Sequence, residues 1–435
     1  MQHAQSARVL VHSKVLPLMD AFLVHKRQHG TPVEKQLYQK MTREDFIFRL
    51  IEKRPIFFFS DVDSTRLRDG TEPSGSLWPR VGTEKEGRIK LTDYLSYDEM
   101  QISALIGISS EVMFINQGER KNKGNAKSGG FEKEGVYVGL VGCRFEKEGM
   151  MEYQHVLISD ECNGEKGYGV GGVDGKEKDK LRIWGDFYEQ RLKNGEVGLM
   201  DYKEAEGEYE GKTKKLRRYK TLSGDIYFNV EIFKKRLSIT IETFLYEADL
   251  RAKEVKKMAY VHAVGLGMGA WQVTQDQEEW LLDVFAEAIT QNPFDNISDI
   301  NFSWWKENSC GGAKNGNKIR TASGREITII FSKRNPAEKL SEKDRDKLLV
   351  CCYAWDSNSF PGNEYWCGLL DASGDPAAAS CSTIPEMHNV YVNPCLSKEA
   401  ILIIEPDKRL ESSRKKKKQK KKKDLKGTVV VEKES

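Results

Sequence analysis

The sequence predicts an α/β fold with a mainly parallel sheet covered by helices on both faces. From residue 229 onward, apolar runs of strand length alternate with amphipathic helical segments, and strands separated by helices form parallel sheets. The 435-residue chain is 39% hydrophobic and 31% charged, which is typical of a globular protein and not of a disordered chain. No apolar run approaches the roughly 20 residues that span a bilayer, so we expect no integral membrane association.

The N-terminal part is predicted to be mainly helical. Within residues 8–54, Val11 and Val15 begin an apolar helical face, and Thr42 with Asp45 predicts the capped start of a further helix. A short buried strand is expected at 56–59.

The middle of the chain begins with irregular structure, predicted from its glycine, proline, serine and aspartate content at 61–88. Short β-branched runs predict strands at 136–142 and 155–158. The glycines and charges of residues 161–180 indicate an exposed excursion.

The second half has the most regular pattern. A helix is predicted within 229–256, followed by a buried strand at 259–264 and a helix at 277–290. Further strands are expected near 297–302, 326–331 and 348–354. Ligands of such sheets bind at the carboxyl ends of the strands, which directs attention to the loops after Val264 and Ala354.

The charge of the chain is unevenly distributed. The net charge is +3, but nine of the ten residues from 414 to 423 are basic, and without those nine the remainder carries −6. We predict a solvated, disordered tail that serves secondarily as a nuclear address or an acidic-lipid patch. Because the body is mildly acidic, the sequence argues against nucleic-acid binding.

The eight cysteines show no CxxC pair and no histidine at zinc-finger spacing, so a structural zinc site is not expected. The first thirty residues contain no continuous apolar run followed by a small-residue cleavage site. We therefore expect reduced thiols in a cytoplasmic or nuclear protein.

The loop after the strand at 259–264 is rich in glycine, which lets backbone amides approach a phosphate closely. Its candidate ligand contacts are Gly265, Leu266, Gly267, Met268, Gly269 and Trp271. The loop matches G-x-G-x-x-A, but residues 285–289, where a dinucleotide-binding unit needs an acid at a strand end, are predicted to be helical. A tight turn without a ligand is the alternative.

The loop after Ala354 contains Asp356, Asn358, Asn363 and Glu364 close to aromatic residues. Carboxylates near apolar rings are costly unless bonded, and such clusters mark functional sites. A Pro-Gly turn whose acids face water is the alternative.

A helix start follows at Ser373–Ala379, with Asp375 expected as the N-cap and Pro376 as the first helical residue. The free amides of a helix start attract anions, so a pyrophosphate could rest either here or on the glycine loop. Simple capping is the other interpretation of Asp375.

Taken together, residues 260–271, 354–366 and 373–379 resemble the MavL-like macrodomain hydrolases, and the likeness extends over roughly residues 90–400. Family members include a bacterial effector and animal proteins. If this chain is itself a bacterial effector, we expect it to be delivered into the host cell. The resemblance implies a macrodomain-like three-layer α/β/α fold with a mixed, mainly parallel sheet. The predicted organisation is a mainly helical N-terminal region at 1–90, packed on or preceding the core, a macrodomain-like ADP-ribose-binding catalytic domain at 91–405 and a disordered Lys-rich tail at 406–435.

The resemblance also implies the activity, which is removal of ADP-ribose from modified arginine, including arginine of ADP-ribosylated ubiquitin. The family's catalytic acids are three aspartates, and Asp356, Glu364 and Asp375 are their counterparts, with a departure at Glu364. Carboxylates stabilise an oxocarbenium-like state, orient water and grip a guanidinium through two hydrogen bonds. We expect Asp356 and Asp375 to contact the distal ribose or guanidinium and Glu364 to position the substrate.

ADP-ribose enters this interpretation as substrate moiety and product, with no cofactor and no metal. Further expected contacts to it are Asn358, Gly362, Asn363, Trp366, Ser373, Gly374, Asn116 and Arg120. For Asn116 and Arg120 an exposed flexible loop is the alternative. The predicted partner is a mono-ADP-ribosylated protein such as ubiquitin. Two competing functions stay open: a non-catalytic ADP-ribose reader and a nicotinamide-dependent oxidoreductase.

Overall fold

The structure is a computed structural model that describes residues 2–59, 62–73, 77–211, 215–221 and 224–406. The predicted Lys-rich tail, apart from residue 406, lies outside the described residues.

The strands of the described residues are numbered in chain order. They are β1 (Arg8–His12), β2 (Phe57–Phe59), β3 (Ser64–Arg66), β4 (Ile106–Met113), β5 (Glu134–Leu140), β6 (Leu157–Ile158), β7 (Leu216–Thr221), β8 (Gly224–Asn229), β9 (Ala259–Ala263), β10 (Ile297–Ser303), β11 (Ser309–Cys310), β12 (Ala313–Lys314), β13 (Lys318–Arg320), β14 (Glu326–Ser332), β15 (Leu348–Ala354) and β16 (Ile401–Ile404).

A mixed sheet lies at the centre of the fold. Nine strands of the described chain form it, in the order β13-β14-β10-β9-β15-β5-β4-β1-β16. The five neighbours from β14 to β5 are mutually parallel, whereas β4 is antiparallel to both β5 and β1 and β13 is antiparallel to β14. The prediction of an α/β fold with a mixed, mostly parallel sheet is therefore confirmed.

The helices of the described residues are likewise numbered in chain order. They are α1 (Gln2–Gln5), α2 (Val15–His29), α3 (Pro32–Tyr38), α4 (Arg43–Glu52), α5 (Tyr97–Ser103), α6 (Tyr153–Val156), α7 (Lys176–Phe187), α8 (Tyr202–Glu210), α9 (Val230–Glu254), α10 (Asp276–Gln291), α11 (Asn363–Trp366), α12 (Asp375–Ala379) and α13 (Ile384–Met387).

The prediction of helix from residue 8 is wrong at its start, because residues 8–12 form β1 inside the central sheet. Val9, Leu10 and Val11 are completely buried between β4 and β16. A short continuous apolar run is the pattern of a strand covered on both faces. The predicted capped helix is confirmed as α4, where Thr42 and Asp45 form a reciprocal capping box.

Helix α9 is the main helical support of the sheet. Asn229 caps it by accepting a hydrogen bond from the backbone N–H of Ile232, and the helix contacts β1, β4, β5, β9, β10, β15 and β16. Further along the chain, α12 contacts β15 and α13 contacts β4. Within the described ranges, no helix is both long and apolar enough to cross a membrane.

The region between β5 and α9 differs from the expectation. The predicted strand at 155–158 is wrong at its first half, since Tyr153–Val156 is the short helix α6 and only Leu157–Ile158 is extended. The expected excursion at 161–180 ends at residue 176, where α7 begins. Strands β6, β8 and β7 form a separate antiparallel sheet. These elements were not predicted because short helices and strands follow one another within a few residues, so neither the helical nor the strand hydrophobic period repeats often enough to be recognised.

The carboxyl ends of β5, β15 and β9 lie side by side because the three strands are parallel neighbours. The segment after β5, the loop after β15 and the glycine loop after β9 therefore leave the sheet at one edge.

Candidate active site

Three carboxylates come together at this edge. The backbone N–H of Gly362 donates to Asp375 Oδ2 at 2.8 Å, and Asn363 Nδ2 donates to Asp356 Oδ2 at 3.4 Å. The Pro-Gly turn thus lies between Asp356 and Asp375. Glu364, the next residue, interacts electrostatically with both acids.

Asp356 is the best bonded of the three acids. Its Oδ1 accepts from the backbone N–H groups of Asn358 (2.8 Å) and Ser359 (3.3 Å), and Ser359 Oγ lies 3.2 Å from both carboxylate oxygens. Burial raises the pKa of Asp356 to about 6, while the hydrogen bonds from Ser359 and Asn358 oppose the rise. Hydrogen bonds to the charged form favour ionisation.

Asp375 is held differently from the prediction. Gly374 is the N-cap residue of α12, and Asp375 is the first helical residue without a side-chain cap bond. Its carboxylate turns instead to the backbone N–H of Gly362, a residue whose φ of +69° suits glycine. The N-cap assignment is therefore wrong, because a tertiary donor outcompetes the local one. Burial and the charges of Glu364 and Asp356 raise the pKa of Asp375 well above its usual range.

Glu364 has an unsatisfied carboxylate oxygen. Its Oε2 is buried and has no hydrogen-bond partner. Burial, followed by the charge of Asp356, raises the pKa of Glu364 to about 7. A site with one well-bonded carboxylate and two whose pKa values are raised can both accept and donate protons.

Arg144 is a site residue that the sequence did not indicate. It follows β5, and its Nη1 donates to Asn358 Oδ1 at 2.8 Å and to the backbone oxygen of Asp356 at 3.3 Å. Its Nε donates to Glu152 Oε2 at 2.9 Å. Arg144 thereby holds the Asp356 loop in place from the segment that follows β5. The side-chain oxygen of Asn358, a candidate ligand contact, is occupied by this hydrogen bond.

The glycine loop packs directly against the end of β5. A Cβ on Gly142 would lie 2.6 Å from the backbone nitrogen of Gly267, so only glycine permits this approach. Leu266 is buried, Met268 is half-buried and Gly269 is exposed. Trp271 Nε1 donates to Glu146 Oε2 at 3.4 Å. The structure thus brings this loop to the edge that carries the acids.

Two asparagines upstream of the acids, Asn116 and Asn122, bond to the backbone of the α12 segment. Asn116 is buried, and its Nδ2 donates to the backbone oxygen of Ser380 at 3.1 Å, while Asn122 Nδ2 donates to the backbone oxygen of Ala377 at 2.8 Å. Arg120 is exposed. Near the acids, Ser373 and Gly374 are exposed and Trp366 is 38% exposed.

Among the described residues, no group of three or more histidine, cysteine, aspartate or glutamate side chains is arranged to hold a metal ion. Buried His262, in the middle of β9, places its Nε2 3.2 Å from the backbone oxygen of Arg334.

Comparisons with known proteins agree on one family. The family model described as ADP-ribosylhydrolase MavL-like matches residues 1–412. The chain is 35% identical over 407 residues to the ADP-ribosylarginine hydrolase CG2909 of Drosophila melanogaster, which covers 90% of this chain and 77% of that protein. It is 36% identical over 402 residues to the ADP-ribosylarginine hydrolase CG3568 of the same organism, covering 89% and 76%.

Proposed function

The chain belongs to the MavL-like ADP-ribosylhydrolase family, and on that premise we propose that it removes mono-ADP-ribose from arginine side chains of proteins. The observation that carries this proposal is the cluster of Asp356, Glu364 and Asp375, in which one acid is well bonded and the pKa values of the other two are raised by burial and by neighbouring acids. Two relatives that cover most of the chain are named for the same linkage.

The proposed reaction is a hydrolysis that needs no cofactor. The bond between the anomeric carbon of the distal ribose and the guanidino nitrogen breaks, and the oxygen of water bonds to that carbon. The proton released by water ends on the guanidino nitrogen, so arginine keeps its positive charge. Carboxylates beside the ribose stabilise the oxocarbenium-like transition state and accept the proton from water.

The three acids take different parts in this proposal. Asp356 is ionised because four donors surround its carboxylate, and with Asp375 it contacts the distal ribose and the attacking water. Glu364 positions the substrate, because its unpaired Oε2 is free to accept a guanidinium N–H. Such a pair strongly favours the ionised carboxylate. This would explain a preference for arginine over a neutral ester linkage.

The glycine loop is the proposed pyrophosphate site. Of the two alternatives, α12 is only five residues long and begins with the acidic side chain of Asp375, which disfavours an anion there. The glycine loop presents backbone amides without an acidic side chain between residues 265 and 271. We also propose that the core has a macrodomain-like three-layer arrangement. Ubiquitin is one proposed carrier of the modified arginine.

Release of ADP-ribose from defined substrates tests the proposal. The purified chain is incubated with arginine-ADP-ribosylated ubiquitin, an arginine-linked peptide and a serine-linked peptide, and free ADP-ribose is quantified. We expect release from the arginine-linked substrates only, and a loss of about 10³-fold in kcat for Asp356→Asn. Glu161→Gln, which alters an exposed ion pair with Lys166, is the control and should retain full activity.

Two results would point to the competing functions. Micromolar ADP-ribose binding without turnover of any substrate would make the chain a reader. A preference for NADH over ADP-ribose in a fluorescence titration would favour an oxidoreductase. Release from arginine peptide but not from ubiquitin would remove ubiquitin as the carrier while leaving the reaction in place.

A further inference from the structure

A buried guanidinium lies beneath the loop that carries the acids. Arg54, two residues beyond α4, has no exposed surface, and its guanidinium carbon lies 4.3 Å from the centroid of the Trp355 ring. Trp355 is itself buried, and its Nε1 donates to the backbone oxygen of Ser359 at 3.2 Å. The backbone N–H of Phe360 donates to the backbone oxygen of Pro55 at 3.2 Å. The Arg54 segment therefore forms the floor of the Asp356 loop.

The three nitrogens of this guanidinium have no hydrogen-bond partner. Nε, Nη1 and Nη2 of Arg54 are all buried and unsatisfied. A buried cation without a partner is strongly unfavourable unless nearby charge compensates, and arginine resists deprotonation more than lysine does. The face of Trp355 offers partial compensation. Burial lowers the pKa of Arg54 to about 9, and the carboxylate of Asp356 is the largest influence that opposes this.

The cluster of three acids would carry an excess of negative charge if all of its members were ionised. Asp356, Glu364 and Asp375 repel one another when ionised, so proximity alone would favour a neutral cluster. The other cation that faces Asp356 is Arg144, but its Nε is bonded to the carboxylate of Glu152. Arg54, by contrast, has no carboxylate within hydrogen-bond distance.

We propose that Arg54 is a positioning residue that supplies a fixed positive charge beneath Asp356 and keeps this carboxylate ionised beside Glu364 and Asp375. The charged and titratable groups that act on Arg54 are Asp356, Tyr353 and Arg144. Those that act on Asp356 are Arg144 and Arg54, together with the other two acids. The proposal rests on the function proposed above. It makes the N-terminal region, which the sequence predicts to be mainly helical and either packed on the core or preceding it, part of the active site.

The test removes the charge and follows the dependence of kcat on pH with the arginine-linked peptide. In Arg54→Met the acidic limb should move upward by about one pH unit, because loss of a neighbouring cation raises carboxyl pKa values. At the low-pH end of this limb, where kcat rises with pH, kcat of the variant should be about 10-fold lower than that of the wild type. The difference should disappear at higher pH. Arg54→Lys retains an ionisable cation that loses its proton more readily than a guanidinium does when buried, so its acidic limb should shift upward by less than that of Arg54→Met.

Arg68→Met is the matched control. The Arg68 guanidinium lies over Tyr94 at the same 4.3 Å and donates to the backbone oxygen of Arg54. It perturbs the same segment without removing the charge under Asp356, so its acidic limb should match that of the wild type. An unshifted limb in Arg54→Met, or an equal loss of kcat at every pH, would overturn the proposal. Arg54→Gln replaces Arg54→Met if the latter does not fold.

A second measurement does not depend on turnover. The free energy of unfolding falls as pH rises through a carboxyl pKa that is raised in the folded state, and this fall should extend about one pH unit higher in Arg54→Met than in the wild type. An unchanged stability profile would contradict the role of Arg54 even if no substrate is cleaved. A wild type that cleaves no arginine linkage would overturn only the proposed function.

Discussion

Two buried charge clusters meet at Arg144, and they are built in opposite ways. In the first, Glu152 lies between two arginines: Arg144 Nε donates to its Oε2 at 2.9 Å and Arg236 Nε donates to its Oε1 at 3.0 Å. Other guanidinium nitrogens of Arg144 and Arg236 donate to backbone oxygens. In the second cluster, Asp356, Glu364 and Asp375 face one another, and one oxygen of Glu364 has no partner.

The pKa values express this difference. Burial alone would raise the pKa of Glu152, but Arg144 and Arg236 outweigh it and lower the pKa. For the three acids, burial raises every pKa, and neighbouring acids add to the rise for Glu364 and Asp375. The first cluster stabilises the charged form and the fold with it. The second holds carboxyl pKa values above their usual range at the expense of stability, as expected of a reactive site.

The largest effect should come from the paired cluster. Glu152→Gln removes the only carboxylate that bridges Arg144 and Arg236 among the described residues. It should lower the free energy of unfolding by about 3–5 kcal/mol, because two buried cations lose their counterion. Chemical denaturation measures this value.

Glu161→Gln is the control for that experiment. Glu161 pairs with Lys166 at the surface, where 57% of its side chain is exposed, and its replacement should change stability by less than about 1 kcal/mol. If Glu152→Gln were as mild as Glu161→Gln, the contrast between the two clusters would not hold.

In the acid cluster, replacement of a carboxylate should raise the free energy of unfolding and not lower it. The folded-state pKa of Glu364 is raised to about 7, so its stabilising contribution is complete at low pH and is lost as pH rises through that value. Glu364→Gln should therefore gain stability relative to the wild type by about 1–2 kcal/mol more at pH 8 than at pH 5.5. Thermal or urea unfolding at the two pH values measures the gain.

The expected loss of activity in Glu364→Gln makes the comparison sharper. The glutamine carries no charge to receive a guanidinium, so KM for the arginine-linked peptide should rise while the fold becomes more stable. A destabilised variant at pH 8 would show that Glu364 belongs with the structural charges and not with the reactive ones.

Local signals in the sequence predicted much of this architecture. The capping box at Thr42 and Asp45 and the strand before the glycine loop depend on residues a few positions apart. Strand β1 escaped prediction because its partner β16 lies at residues 401–404. Nothing near Arg8–His12 in the chain specifies that pairing.

The arginines that contact the Asp356 loop could not be predicted from local sequence either. Arg54 and Arg144 are charged residues in charged stretches, and only the fold brings them to Trp355 and Asn358. The Asp375 pattern was misleading for a related reason: its local capping option competes with the backbone N–H of Gly362, thirteen residues away. Acids near aromatics were a usable signal, whereas buried arginines were not.

The smallest expected effect concerns a single hydroxyl between the two clusters. Ser359 Oγ lies 3.2 Å from both oxygens of Asp356, on the loop that Arg144 holds in place. Ser359→Ala removes a donor that favours the ionised carboxylate, so the pKa of Asp356 should rise and the acidic limb of kcat should move upward by about 0.5 pH unit. Because the backbone N–H groups of Asn358 and Ser359 remain as donors, kcat on the plateau should change less than about 2-fold. A downward shift, or a plateau loss as large as that of Asp356→Asn, would mean that the hydroxyl acts on the substrate and not on the carboxylate.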